Sequence, residues 1–168
     1  GGQVLGQSLH AAYQSVPNDR IAHSMHAYFI LPGNLDEPVT YEVDKIRNGG
    51  SFTTRRVVAF QKNRAIFNMA ASFQEPQEGL EHQVAMPNVP PPEDLVTDKE
   101  LAEVFKDTLP QLYERFQTPR PLEFRPVEKL DLLKPHKQNP VRHVWIKAIG
   151  DVPGEKKIHQ EMLAYASD

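Results

Sequence analysis

The sequence predicts an α+β fold: one amphipathic helix covered by an antiparallel sheet, then the opening of a second unit of the same kind. Three observations predict it. An apolar stripe at helical spacing occupies residues 1–16, four runs with two-residue alternation occupy 21–73, and the order strand then helix returns near residue 168.

The first helix, GGQVLGQSLHAAYQSV, carries Leu5, Leu9, Ala12 and Val16 on one side and is stopped by Pro17. IAHSMHAYFIL (21–31) is a strand running into Pro32-Gly33, and VTYEVDKI (39–46) alternates through Val39, Tyr41 and Val43. Asn48-Gly49-Gly50 signals a hairpin into SFTTRRVVAF (51–60), and Lys62-Asn63-Arg64 a second tight turn into AIFNMAASF (65–73). In that last run Phe67, Met69, Ala71 and Phe73 share a face, with Asn68 and Ser72 on the other. A sheet with one apolar face must cover it, and 1–16 is the long apolar helix available. Leu5, Leu9 and Ala12 are therefore expected against Phe67, Met69 and Phe73.

Composition then shifts. Residues 75–97, including MPNVPPPEDL, are polar and Pro-rich and read as a linker or surface loop. A helix over 98–117 should be broken or kinked at Pro110, and LEFRPVE (122–128) and RHVWIKAIG (142–150) read as strands. The closing segment, 158–168, sets Ile158, Met162, Tyr165 and Ala166 on one side of a helix. No Gly, Asn or Pro ends it, and Asp168 carries a charge that opposes its own helix dipole. The expectation is that Asp168 is not a natural end and that the chain is truncated at both ends. The expected organisation is a first unit over 1–75, a linker with a short helix over 76–120, and the start of a second unit over 121–168.

A formal net charge of −3 favours neither nucleic acid nor an anionic membrane as partner. The absence of cysteine excludes disulfides, thiolate nucleophiles and Cys-based metal sites. No apolar run approaches the roughly 18 residues of a membrane span.

Chemistry has few anchors. His23 and His26 lie three apart on a strand, so their imidazoles point to opposite faces and no metal site is expected. His23 falls on the face of Met25, Ala27 and Phe29, either as a satisfied core-edge histidine or near a substrate. Gly1-Gly2-Gln3 lacks the Walker lysine and the dinucleotide fingerprint. Its glycines could let a ligand approach bare N–H groups at a helix N-terminus, or let the helix pack closely on the sheet. Arg55-Arg56 and Lys156-Lys157 read as solvated charge, and Ser167-Asp168 is no serine-nucleophile motif.

The blocks GGQVLGQSL, HSMHAYFILPG, RNGGSFTTRRV, IFNMAASFQ, MPNVPPP, RPVE and HQEMLAYASD resemble, in this order and along essentially the whole chain, the type II acyl-CoA thioesterases. The resemblance implies a double hotdog, two tandem units each with a sheet wrapped around a central helix, the second incomplete here. It implies hydrolysis of acyl-CoA thioesters to free fatty acid and coenzyme A by an aspartate-activated water. Asp168 matches the aspartate of the family's Y-x-S-D block; the accompanying hydroxyl residue and glutamine would lie beyond it, so the 168 residues alone are expected to be inactive. Gly2 and Gln3, and less directly His23, are the expected oxyanion or substrate-positioning residues. No cofactor and no metal are implied. The expected partners are acyl-CoA and further copies of the chain, in a dimer or tetramer of double hotdogs. The expected compartment is the bacterial cytoplasm, or the peroxisome in a eukaryote. Two other readings stay open: a hotdog hydratase or dehydratase acting on acyl thioesters, and a non-catalytic acyl-binding or scaffolding module.

Overall fold

The computed structural model describes residues 1–128 and 137–168. In chain order its elements are α1 (Gly2–Tyr13), β1 (Ile21–Phe29), β2 (Thr40–Asn48), β3 (Phe52–Gln61), β4 (Arg64–Gln74), α2 (Asp98–Leu101), α3 (Pro110–Gln117), β5 (Leu122–Pro126), β6 (Val144–Ala148) and α4 (Lys156–Ala166), with short 3-10 turns at Pro92–Asp94 and Ala102–Phe105. They pack as two compact units, Gly1–Glu81 together with Val152–Asp168, and His82–Asp151.

In the first unit the strands form an antiparallel sheet of order β1-β4-β3-β2, so β2, β3 and β4 make the expected meander. Both turns follow from local chemistry. The Gly49 N–H donates to the Phe52 carbonyl at 2.8 Å, closing the first hairpin. Lys62 and Asn63 both take positive φ (47° and 60°), which gives a two-residue primed turn whose twist matches the strands it joins.

The apolar stripe of α1 lies on the inner face of this sheet. Leu5, Leu9 and Ala12 share one buried cluster with Val57, Phe67, Met69 and Phe73, as the pattern predicts. The Tyr13 ring meets Phe73 edge-on with centroids 4.9 Å apart. Burying each Leu or Phe side chain contributes about 1.5–3 kcal/mol.

Two features depart from the sequence reading. Arg55, expected in solvent, is only 1% exposed. Its guanidinium donates to Ser15 Oγ and Ser15 O (both 2.7 Å), Arg47 O (3.0 Å), Thr54 O (2.9 Å) and Asn48 Oδ1 (2.7 Å). It thereby ties the residues just after α1 to the first hairpin, and burial pulls its pKa below the ordinary arginine value. His23 does not share the face of Met25 and Ala27. The pairing of β1 with β4 slips between Ala22 and Ser24, and the extra residue of this bulge is His23. Ala22, Met25 and Ala27 pack on the core, whereas His23 is exposed, with Nε2 2.8 Å from Ser72 Oγ and its ring against Phe52.

α4 runs antiparallel to α1. A Cβ at Gly2 would stand 2.2 Å from the Tyr165 carbonyl oxygen, and one at Gly6 3.1 Å from that of Glu161. The glycines thus serve close helix–helix packing, in place of the helix–sheet packing the sequence invited. Further along, Tyr13 Oη donates to Gln160 Oε1 and accepts from the Ala22 N–H at 2.8 Å, while Gln160 Nε2 donates to Ala22 O at 2.7 Å. This polar triangle joins α1, α4 and β1.

In the second unit β5 and β6 form a two-stranded antiparallel ribbon. The Pro-rich stretch is anchored to it. The Trp145 indole N–H donates to Pro90 O at 2.9 Å, and Arg125 Nη1 to Pro92 O (3.0 Å) and Leu95 O (2.7 Å). Thr97 and Glu100 form a capping box on α2. The helical stretch breaks before Pro110, which opens α3 at a first-turn position where its missing N–H costs nothing.

Candidate active site

α1 begins without a capping side chain and without an acidic residue in its first turn. An N-terminus of this kind leaves backbone N–H groups and the positive end of the helix dipole unmatched. Asp168 supplies the match. Its Oδ2 accepts from the Gly2 N–H at 3.0 Å and lies 3.3 Å from the Gly1 nitrogen. The charge that opposes the dipole of its own helix therefore favours that of the neighbouring one.

The remaining first-turn donors divide simply. The Val4 and Leu5 N–H groups point to Gly1 O at 2.9 and 3.3 Å. That leaves the Gln3 N–H as the first-turn donor with no partner among the described residues. Likewise Asp168 Oδ1 accepts no hydrogen bond among them, so one carboxylate oxygen is held and the other is open. This is a geometry suited to taking a proton from a water while a backbone N–H faces a developing negative charge.

Gly1, Gln3, Val4 and Gln7 line one side of a cleft of about 540 Å³, and Phe29 to Leu35 line another, with Ile66 and Phe67. The Phe29 and Phe67 rings pack at 5.2 Å. Tyr41 Oη donates to Gln7 Oε1 at 2.6 Å, and burial raises the Tyr41 pKa above the ordinary phenol value. The cleft is mostly apolar and lies within the size range of ligand pockets.

Asp168, Gly2 and Gln3 thus come together at one end of α1, while His23 lies on the outer face of the sheet with Ser72 and Phe52. Among the described residues no group of three or more His, Asp, Glu or Cys could hold a metal ion. No described helix is long and apolar enough to cross a membrane.

Residues 1–74 match the family model described as the acyl-CoA thioesterase N-terminal domain. Across the whole chain, identity is 41% over 169 residues to the acyl-CoA thioesterase 2 of Haemophilus influenzae, 59% of which is covered. Along its whole length the chain is similar to acyl-CoA thioesterases. The crystal structure of the acyl-CoA thioesterase II TesB2 from Mycobacterium marinum superposes with a TM-score of 0.75 at 38% identity, over 99% of this chain and 58% of that one. A protein of unknown function with a hot dog fold from Alicyclobacillus acidocaldarius gives 0.71 at 18% identity, covering 98% of this chain and 57% of that one. That likeness bears on the fold alone. The fold of this chain is accordingly a hotdog, with α1 as the helix against the antiparallel sheet. The chain spans about three fifths of the length of these relatives.

Proposed function

We propose that the protein hydrolyses acyl-CoA thioesters to free fatty acid and coenzyme A, with Asp168 as the general base toward water. The observation that carries this is the Gly2 N–H to Asp168 bond at 3.0 Å, beside a cleft to which Gly1 and Gln3 contribute. A thioester carbonyl is electrophilic enough that a positioned water suffices, and no covalent intermediate is needed. The held oxygen of Asp168 fixes the carboxylate, and the open one takes the proton of the attacking water. Gly2 is then a positioning residue, and the Gln3 N–H is the donor left to stabilise the oxyanion, a contribution worth ~10²–10³ in rate when such a donor is lost. The acyl tail takes the apolar cleft beside α1. His23, on the outer face of the sheet, has no part in this scheme.

A repeat division at 1–75, 76–120 and 121–168 accompanies the proposal, with α1 and α4 as corresponding central helices of a double hotdog. So do assembly as a dimer or tetramer and residence in the bacterial cytoplasm, the last supported by the bacterial source of the 41%-identical relative.

The test uses a protein spanning the relatives' full length and follows thiol release from saturated acyl-CoA and from crotonyl-CoA. Saturable thiol release from the saturated substrate is expected. Hydration of crotonyl-CoA without thiol release would overturn the reading in favour of a hydratase, and saturable binding without either reaction would leave an acyl-binding module.

A further inference from the structure

Gln61 is a polar side chain in an apolar place. It is the last residue of β3, lines the 540 Å³ cleft, and is 8% exposed. Its amide is fully engaged with one segment of backbone. Oε1 accepts from the Asn34 N–H at 2.8 Å, and Nε2 donates to Asn34 O and Glu37 O, each at 2.8 Å. The amide thus pairs with Asn34 much as a neighbouring strand would, at a point where the chain is in neither helix nor strand.

That segment, between β1 and β2, is the wall of the cleft that carries Leu31 and Leu35. Its other ties are few. The Ile30 and Leu31 N–H groups share Ile66 O (2.9 and 3.1 Å), the Glu37 N–H donates to Asn34 O at 3.4 Å, the Asp36 N–H to Asn34 Oδ1 at 3.0 Å, and Lys62 Nζ meets Glu37 Oε1 at 2.7 Å on the surface. Gln61 is therefore the buried side chain that fixes the stretch over Asn34–Glu37, and with it the wall opposite the first turn of α1.

We propose that Gln61 determines acyl chain-length preference by pinning the Asn34–Glu37 wall of the cleft. This rests on the acyl-CoA reading of the site. Gln61 is a specificity-determining residue that acts through the backbone it holds and touches no reacting atom. With the wall fixed, a growing alkyl chain is taken from water methylene by methylene until the cleft is full. With it released, three part-buried backbone groups lose a hydrogen bond, the segment moves toward water to replace it, and added methylenes gain little.

The experiment is calorimetric titration of a protein spanning the relatives' full length with S-alkyl-CoA thioethers, from S-ethyl to S-hexadecyl, which cannot be hydrolysed. In the unaltered protein each methylene should tighten binding by about fourfold up to a definite length, beyond which the gain stops. In Gln61→Leu the gain should fall below about twofold per methylene and the stopping length should vanish, with the affinity for free coenzyme A unchanged. Gln61→Glu keeps the acceptor for the Asn34 N–H but faces two carbonyls with an oxygen, so it should follow the Leu variant. Should the Leu variant fail to melt cooperatively, the Glu variant decides. Lys62→Ala removes only the surface ion pair and should keep the original profile. Amide hydrogen exchange at Asn34 should lose protection in both Gln61 variants. An unaltered chain-length profile in a folded Gln61 variant, or no length dependence in the unaltered protein, overturns the proposal. Thiol release from saturated acyl-CoA by the full-span protein, with an unmoved thioether profile in the Gln61 variants, removes the role of Gln61 alone, whereas a length-dependent thioether profile without that thiol release removes the catalytic reading alone.

Discussion

The Gly2 N–H and the Asp168 carboxylate meet at 3.0 Å across 166 residues of sequence. The pair joins the start of one helix to the second residue past the end of another, and it makes the proposed general base depend on a backbone donor that only proline at position 2 would remove. In the full-span protein Asp168→Asn keeps the shape and removes the proposed base. Its kcat should fall by roughly 10²–10⁴ with little change in melting temperature. A near-normal kcat would transfer the role to another group.

Gly2→Ala should act on stability. The added Cβ would face the Tyr165 carbonyl oxygen at 2.2 Å, a backbone atom that cannot rotate away, so α1 and α4 must separate. Overpacking of this kind costs about 1–3 kcal/mol. At about 2–4 °C per kcal/mol for a chain of this size, the fall in Tm is readily measured. Gly50→Ala, where a Cβ meets nothing within 4 Å, is the control and should leave Tm unchanged.

Arg55→Ala removes five donated hydrogen bonds at once and strands Ser15 O, Asn48 Oδ1 and two strand carbonyls. Chemical denaturation should show a loss of about 3 kcal/mol or more. Arg55→Lys should recover little of it, because an ammonium cannot reproduce the planar fork that reaches Ser15 and Asn48 together. Full recovery by lysine would mean that charge, and not geometry, is what the site requires.

Tyr13 gives an alkaline signature. Burial raises its pKa most, the neighbouring Glu161 carboxylate adds to this, and the Ala22 N–H bond works the other way. A folded-state pKa above the unfolded one, near 10, means that the folded protein holds the proton more tightly. The stability this contributes is fully present below about pH 10 and is lost as pH rises through the folded value. Tyr13→Phe should therefore flatten the fall of ΔG above pH 10 seen in urea melts, leaving the part due to Tyr41, whose pKa is also raised by burial. An unchanged alkaline slope would show that Tyr13 ionises without opposition.

The β2-β3-β4 meander, its two hairpins and the Leu5–Leu9–Ala12 stripe were legible because each follows from local periodicity and turn chemistry, whereas the place of β1 beside β4 does not. What escaped was long-range or masked by polarity. The bulge at His23 inserts one polar residue beside another, Ser24, so alternation gives no sign that the face has switched. Arg55 reads as solvent by charge, although its two-residue spacing from Thr53 and Val57, both buried, already placed it on the inner row. The contact between α1 and α4 had a signal in the four-residue spacing of Gly2 and Gly6, which puts two missing side chains on one helix face. The Gln61 clamp had none, since an amide's partner backbone cannot be read from its neighbours. Asp168, Gly2 and Gln3 are singled out in the sequence through family likeness alone; that Gly2 donates to Asp168 is visible only in three dimensions.

The sequence distance between the two helices also orders the folding of the chain. α1 finds the sheet among residues 21–74, whereas its partner α4 arrives from residues 156–166. Closing the longer loop costs more chain entropy, and synthesis proceeds from the N-terminus, so the helix–sheet nucleus should assemble before α4 exists to meet it. The glycine face of α1 then waits, bare of side chains, as a pre-formed groove, and the carboxylate of Asp168 reaches it only after the sheet has formed. The Gly2–Asp168 contact at this end of α1 should thus trail the formation of the helix–sheet core.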